Sequence, residues 1–293
     1  MPDNTPETAA FPDPRTVPTS VRVPTRVVPY DAAPAHEDAR ALAVEMPVNL
    51  VYGGVPYAVM MTTPADLEDF AYGFSLTEGI VEAAEEIRAA RVEAAEEGLR
   101  LVVDLAPGRL REHLARKRAL SGRTGCGVCG IEDLAALPLA VARPGGDVSV
   151  EMAAIARALA ALFGAQSLNR ETRAVHAAAW ADLDGRLVAL REDVGRHNAL
   201  DKLIGALMRA GTDPRGGFLV ITSRCSFEMV EKAVRFGAAV VVAISAPTSL
   251  ALQRARTHGL TLCAIARDDN LTVFHGGERL MPAVRSGAEA APA

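Results

Sequence analysis

The sequence predicts an α/β protein: a C-terminal core built on a mainly parallel sheet, preceded by a smaller α+β unit. Three observations carry this expectation. Short apolar runs at 218–222, 238–245 and 260–266 alternate with two helix-length segments, the spacing of right-handed βαβ crossovers. Upstream, two strand-like runs flank Gly53-Gly54, the signal of a β-hairpin. The chain has 293 residues, 49% of them hydrophobic and 23% charged, enough to bury a core in one large domain or two modest ones.

Taken in order, residues 1–20 hold five prolines and few large apolar side chains, which predicts a disordered tail. An N-terminal α+β domain is expected over 21–120. Its hairpin joins runs at 43–52 and 55–63. Thr63-Pro64-Ala65-Asp66 then supplies an N-cap, a first-turn proline and an acid at N3, opening a helix that stops near Gly79. The stretch 85–105 is ambiguous, because Ala and Glu favour helix while 99–105 alternates like a strand. A basic helical stretch at 110–120, with Arg109, Arg111, Arg116, Lys117 and Arg118, reads as a solvated face or as a docking surface for an acidic partner.

The segment 121–130 contains Arg123-Thr124-Gly125-Cys126-Gly127-Val128-Cys129-Gly130 and is expected to be a mobile loop. A C-terminal domain follows over 131–284, and 285–293 is a second tail. Within that domain 150–163 is an Ala-rich amphipathic helix. Runs at 173–181 and 186–192 flank Asp184-Gly185, a second hairpin signal. Residues 196–210 are helical and close at Gly211. No internal repeat is visible.

Composition excludes several function classes. Thirty-one Lys plus Arg against 36 Asp plus Glu give a formal charge of −5, which holds neither nucleic acid nor an anionic membrane. Aromatics are 4% of the chain, too few for base-stacking platforms. The longest apolar stretch, 236–247, is far below the roughly 20 residues that span a bilayer. The N-terminus lacks a basic patch followed by an apolar core, so no secretory signal is read there. Four cysteines make no disulfide scaffold in a chain this long, and a reduced, cytoplasmic interior suits them.

Cysteine chemistry therefore concentrates on Cys126 and Cys129. As half of a zinc site the pair would need two more ligands, and no second CxxC exists. As a thioredoxin-like pair it should open a helix after a strand, yet glycines at 125, 127 and 130 surround it. As a sulfur-handling loop it gains reach from glycine and thiolate character from Arg123. Residue chemistry alone leaves the choice among these open.

Elsewhere, Asp193-Val194-Gly195-Arg196-His197-Asn198 opens a helix. Its free N–H groups suit an anion, and capping by Asp193 or Asn198 explains them equally. His176, in an apolar run, reads as a satisfied core residue. Thr222-Ser223-Arg224-Cys225-Ser226 and Ser245-Ala246-Pro247-Thr248-Ser249 each follow a strand and open a helix, the usual place for ligand-binding loops in α/β sheets. After the last run, Arg267-Asp268-Asp269-Asn270 repeats that position. An arginine fork there can pair with phosphate, while a polar β-turn is the plain alternative.

RTGCGVCG, EDVGRHNALDKLIG, GFLVITSRCSFEMV and AISAPTSLA, in that order, resemble the FdhD family of formate dehydrogenase accessory sulfur carriers, and MTTPADLEDFAYGFSLTEGI is similar to its N-terminal part. The resemblance runs from about residue 40 to residue 275. It implies transfer of sulfur from a cysteine desulfurase to the molybdenum (or tungsten) bis-pyranopterin guanine dinucleotide cofactor, before that cofactor enters formate dehydrogenase. It places the persulfide on Cys126, with Cys129 as the second cysteine. It places the cofactor on Ile265, Ala266, Arg267, Asp268, Asp269 and Asn270, where GDP is expected to act as a partial mimic. It further implies a cytidine-deaminase-like core and a homodimer, and no structural metal is expected. A zinc-dependent nucleobase deaminase would need H-x-E followed by P-C-x-x-C. Here His176 is followed by two alanines and the CxxC lies upstream. A chaperone that binds the cofactor without carrying sulfur is the remaining alternative.

Overall fold

The computed structural model describes residues 16–31, 33–112 and 146–282. The tail through residue 15, the basic stretch beyond 112, Cys126, Cys129 and the tail at 285–293 lie outside the described residues. The chain forms two compact units that interleave in sequence. The first comprises Met1–Pro138, Leu168–Val175 and Asp193–Arg209; the second comprises Leu139–Ser167, His176–Glu192 and Ala210–Ala293.

In the first unit, strands β1 (Ser20–Val27) and β2 (His36–Ala43) pair antiparallel as a separate two-stranded ribbon. Strands β3 (Met46–Tyr52), β4 (Val55–Thr62), β5 (Ile87–Ala95) and β6 (Gly98–Leu105) form a sheet in the order β4-β3-β6-β5. The expected hairpin is β3–β4, turning through Gly53 and Gly54 at φ 55° and 78°, a conformation that favours glycine at both positions. The ambiguous stretch resolves into two antiparallel strands, β5 and β6. Alternation overrides the helix propensity of Ala and Glu there, because Leu99, Leu101, Val103 and Leu105 are each 2% exposed or less. Burying side chains of this size contributes about 1.5–3 kcal/mol each, more than the propensity terms they oppose.

Helix α1 (Leu67–Thr77) begins later than the sequence suggests. Asp66 precedes it in a left-handed conformation, φ 53°, and no side chain caps it. Thr63, the expected cap, is engaged elsewhere: its N–H donates to the Asp193 carboxylate at 2.9 Å and its hydroxyl accepts from Val194 N–H at 3.2 Å. The helix Arg196–Arg209 packs on α1 through two glycines. Gly73 meets the Asp201 carbonyl and Gly205 meets the Asp69 carbonyl, so closely that a Cβ at either position would overlap backbone.

The second unit contains β7 (Val150–Glu151), β8 (His176–Asp182), β9 (Leu187–Asp193), β10 (Gly217–Ile221), β11 (Val240–Ala243), β12 (Thr261–Ala264), β13 (Thr272–His275) and β14 (Leu280–Met281). Its main sheet has the order β13-β12-β11-β10-β8-β9. Phe218, Val220, Val240, Val242 and Cys263 form one core with Ile155, Ala158 and Leu162 of the helix Met152–Ala165. Helices Phe227–Phe236 and Ser249–His258 connect the three central strands.

This sheet corrects the expectation of a mainly parallel, cytidine-deaminase-like core. Among the described residues of this sheet, β10–β11 and β11–β12 pair in parallel, whereas β8 runs antiparallel to β10 and β13 antiparallel to β12. The sheet is mixed and open, ending at β13 and β9. The reason lies in the connections. Crossover helices link β10 to β11 and β11 to β12, whereas β13 returns directly from β12 after a short polar turn, which forces antiparallel pairing. Among the described residues, no helix is long and apolar enough to cross a membrane.

Candidate functional site

Three polar loops stand at the carboxyl ends of β10, β11 and β12, and backbone bonds draw them together. The Cys225 N–H donates to Ala246 O at 3.2 Å, and Thr248 N–H donates to Cys225 O at 3.0 Å. The Ile265 N–H donates to Ser245 O at 3.2 Å, and Ala266 N–H to Ala243 O at 3.2 Å. Each loop is therefore fixed by the neighbouring loop or strand. Behind them, Glu231 of Phe227–Phe236 accepts from Arg254 Nε at 2.5 Å and lies 3.3 Å from His258 Nε2. This cluster ties together the two helices that leave the first two loops.

Of the expected cofactor-binding residues, Ala266 is buried, while Ile265, Arg267, Asp268, Asp269 and Asn270 are exposed. Ile265 has φ 53°, a left-handed conformation uncommon for a β-branched residue. Arg267 N–H donates to Asn270 O at 2.8 Å, closing a tight turn. The Arg267 guanidinium donates through Nη1 to Ile244 O at 2.7 Å and Ala266 O at 2.9 Å. Asn270 Nδ2 donates to Asp269 Oδ1 at 2.7 Å. Both the turn and the strand-end position foreseen from sequence are thus present in one segment.

Just before the helix Arg196–Arg209, the Asp193 carboxylate gathers a dense set of hydrogen bonds. Asp193 Oδ1 accepts from Gly195 N–H at 2.7 Å and from Asn198 Nδ2 at 3.1 Å. Its Oδ2 accepts from Thr62 Oγ1 at 2.5 Å, Thr63 N–H at 2.9 Å and Lys202 Nζ at 2.6 Å. Sequence reading missed Thr62 and Lys202 as its partners. The available signal was Lys202 in the middle of a helix whose neighbours Ala199, Leu203 and Ile204 are apolar, a position where a charge needs a buried counterpart.

Two cysteines are described, Cys225 and Cys263, both buried and unpaired. Burial pushes each thiol up to about 12, so neither is a thiolate near neutral pH. His176 opens β8 and is half-buried. Among the described residues, no three or more His, Cys, Asp or Glu side chains are grouped to hold a metal ion.

Comparison with known proteins places these features in a family. The FdhD/NarQ family model matches residues 43–281. The sulfur carrier protein FdhD of Xanthomonas euvesicatoria pv. vesicatoria is 49% identical over 249 residues, covering 85% of this chain and 89% of that protein. The sulfur carrier protein FdhD of Bordetella petrii is 43% identical over 239 residues, covering 82% of this chain and 86% of the relative. Among solved structures, a Desulfotalea psychrophila protein assigned as a formate dehydrogenase accessory protein superposes with a TM-score of 0.70 at 27% identity, covering 90% of this chain and 100% of the other.

Proposed function

This chain belongs to the FdhD/NarQ family, and on that premise we propose how it handles sulfur. It is an FdhD-type sulfur carrier in formate dehydrogenase maturation, a sulfurtransferase that works through a persulfide. The Cys126 thiolate attacks the outer sulfur of a persulfide on a cysteine desulfurase. A new S–S bond forms to Cys126, the donor S–S bond breaks, and the donor cysteine leaves as thiolate. Cys129 is the second thiol of the same site. The sulfur then goes to the molybdenum or tungsten bis-pyranopterin guanine dinucleotide, the substrate that the protein hands on to formate dehydrogenase.

One observation carries the assignment to Cys126 and Cys129. Of four cysteines, Cys225 and Cys263 are sealed in the core with thiols at about 12. A persulfide carrier needs a thiolate that meets its donor, so the glycine-flanked pair is left to do the chemistry. The nucleotide part of the substrate binds the Ile265, Ala266, Arg267, Asp268, Asp269 and Asn270 segment together with the loops at 222–226 and 245–248, beyond the strand ends. The working form is a cytoplasmic homodimer, which offers one nucleotide pocket for each arm of the cofactor. Cys126→Ala tests the central step: the variant folds, and formate dehydrogenase matured in its presence is inactive. Active formate dehydrogenase made with that variant would remove Cys126 from the mechanism. A monomer in sedimentation at micromolar concentration, with and without GDP, would remove the dimer.

A further inference from the structure

Two arginines stand at the candidate nucleotide site, and their surroundings set them apart. Arg267 is bound on both sides of its loop. Its Nη1 reaches Ile244 O, just past β11, and Ala266 O in its own segment, while its backbone closes the turn onto Asn270. It also shares that turn with Asp268 and Asp269, whose charges oppose an anion at the same spot. The left-handed conformation of Ile265, two residues before, persists only where its surroundings hold it. The guanidinium is part of that hold.

Arg224 presents the opposite picture. It is exposed, and its side chain makes no hydrogen bond or ion pair in the described structure. Its backbone is nonetheless fixed. Ser223 on one side is buried and donates through Oγ to Arg224 O at 3.1 Å. Cys225 on the other side is buried and zipped to Ala246 and Thr248. The loop at 222–226 contains no carboxylate. A free guanidinium thus projects from a rigid loop at the same sheet end as Asp268 and Asp269.

We propose that Arg224 is the arginine that binds the phosphates of the guanine nucleotide, and that Arg267 is a positioning residue that holds the guanine-binding turn. The division of labour rests on the nucleotide reading above and goes beyond it by assigning phosphate and base to different loops. A fork that is unpaired and water-exposed can turn both faces to phosphate oxygens, and such charge-assisted bonds are the strong ones.

The test is calorimetric titration of guanosine and of GDP into wild type, Arg224→Ala, Arg267→Ala and Arg267→Lys. Arg224→Ala is expected to weaken GDP about tenfold to a hundredfold and to leave guanosine within about twofold. Arg267→Ala weakens both ligands by the same factor, and Arg267→Lys, which keeps the charge but lacks the fork, does not restore them. Added salt weakens GDP binding to wild type and has little effect on Arg224→Ala. Loss of the GDP-over-guanosine preference in Arg267→Ala, with the preference kept in Arg224→Ala, overturns the proposal. So does a wild type that binds neither ligand, which overturns the nucleotide reading itself. Wild-type binding with unchanged ratios in every variant overturns this assignment alone.

Discussion

Replacing Lys202 with methionine keeps the length of the side chain and removes its charge from the most enclosed ion pair described. Lys202 Nζ lies 2.6 Å from Asp193 Oδ2, and both side chains are 0% exposed. At an effective dielectric of about 20, the attraction at that separation is about 6 kcal/mol. Removing the ammonium also removes its own desolvation cost, so the expected net loss is about 3–5 kcal/mol, the range for stripping one partner from a buried pair. The Asp193 carboxylate would keep Thr62, Thr63, Gly195 and Asn198, while Thr63 O would lose the ammonium that it accepts at 2.8 Å. Urea unfolding measures the loss, and the sequence supplies separate probes. All four tyrosines, Tyr30, Tyr52, Tyr57 and Tyr72, belong to the first unit, and the single tryptophan, Trp180, belongs to the second. With a slope of about 2 kcal/mol per molar urea, the tyrosine midpoint should fall by about 1.5–2.5 M. Asp193→Asn combined with Lys202→Met should cost less than the two single losses added, with a coupling of about 1–3 kcal/mol. A loss below about 1 kcal/mol, or a shift confined to the Trp180 signal, would refute the reasoning.

Two further outcomes follow from packing and burial. Gly73→Ala sets a methyl group into the Asp201 carbonyl, so the two helices must separate; a loss of about 3 kcal/mol or more is expected in the tyrosine transition, and a stable variant would show that the crossing has slack. A raised thiol pKa means less thiolate at any given pH. At pH 8 thiols at about 12 are roughly one part in ten thousand thiolate, against about a quarter for an ordinary cysteine. Native protein treated with iodoacetamide at pH 8 should therefore label at Cys126 and Cys129 and not at Cys225 or Cys263, by peptide mass spectrometry. Alkylation of Cys225 at a comparable rate would contradict its burial.

Much of the fold is legible where a local pattern and the tertiary environment agree. Gly53-Gly54 and Asp184-Gly185 announce hairpins because only certain backbone conformations join twisted strands closely. The three apolar runs announce β10, β11 and β12 for the same kind of reason: four or five buried residues between helices have few other homes. The sheet's mixed character was hidden, since nothing in the sequence of β8 or β13 records the direction of the strand beside it. Thr63 shows a second limit. Its sequence context is that of a helix cap, yet its hydrogen bonds go to Asp193, 130 residues away. The loops at 222–226, 245–248 and 265–270 were legible because strand ends in α/β sheets recur as loop positions. That Arg267 would bond to carbonyls of its own fold was not, because an arginine's partners are chosen in three dimensions.

The central claim is that Cys126 carries sulfur as a persulfide, and mass spectrometry after incubation with a cysteine desulfurase and cysteine tests it most directly. Peptide mapping is expected to find about 32 Da added, one sulfur atom on a thiol, on the peptide containing Cys126, and to find it lost on treatment with a thiol reductant. The Cys126→Ala protein should gain none at that position. Added sulfur on Cys225 or Cys263, or none on Cys126 under conditions in which the desulfurase turns over, would contradict the account.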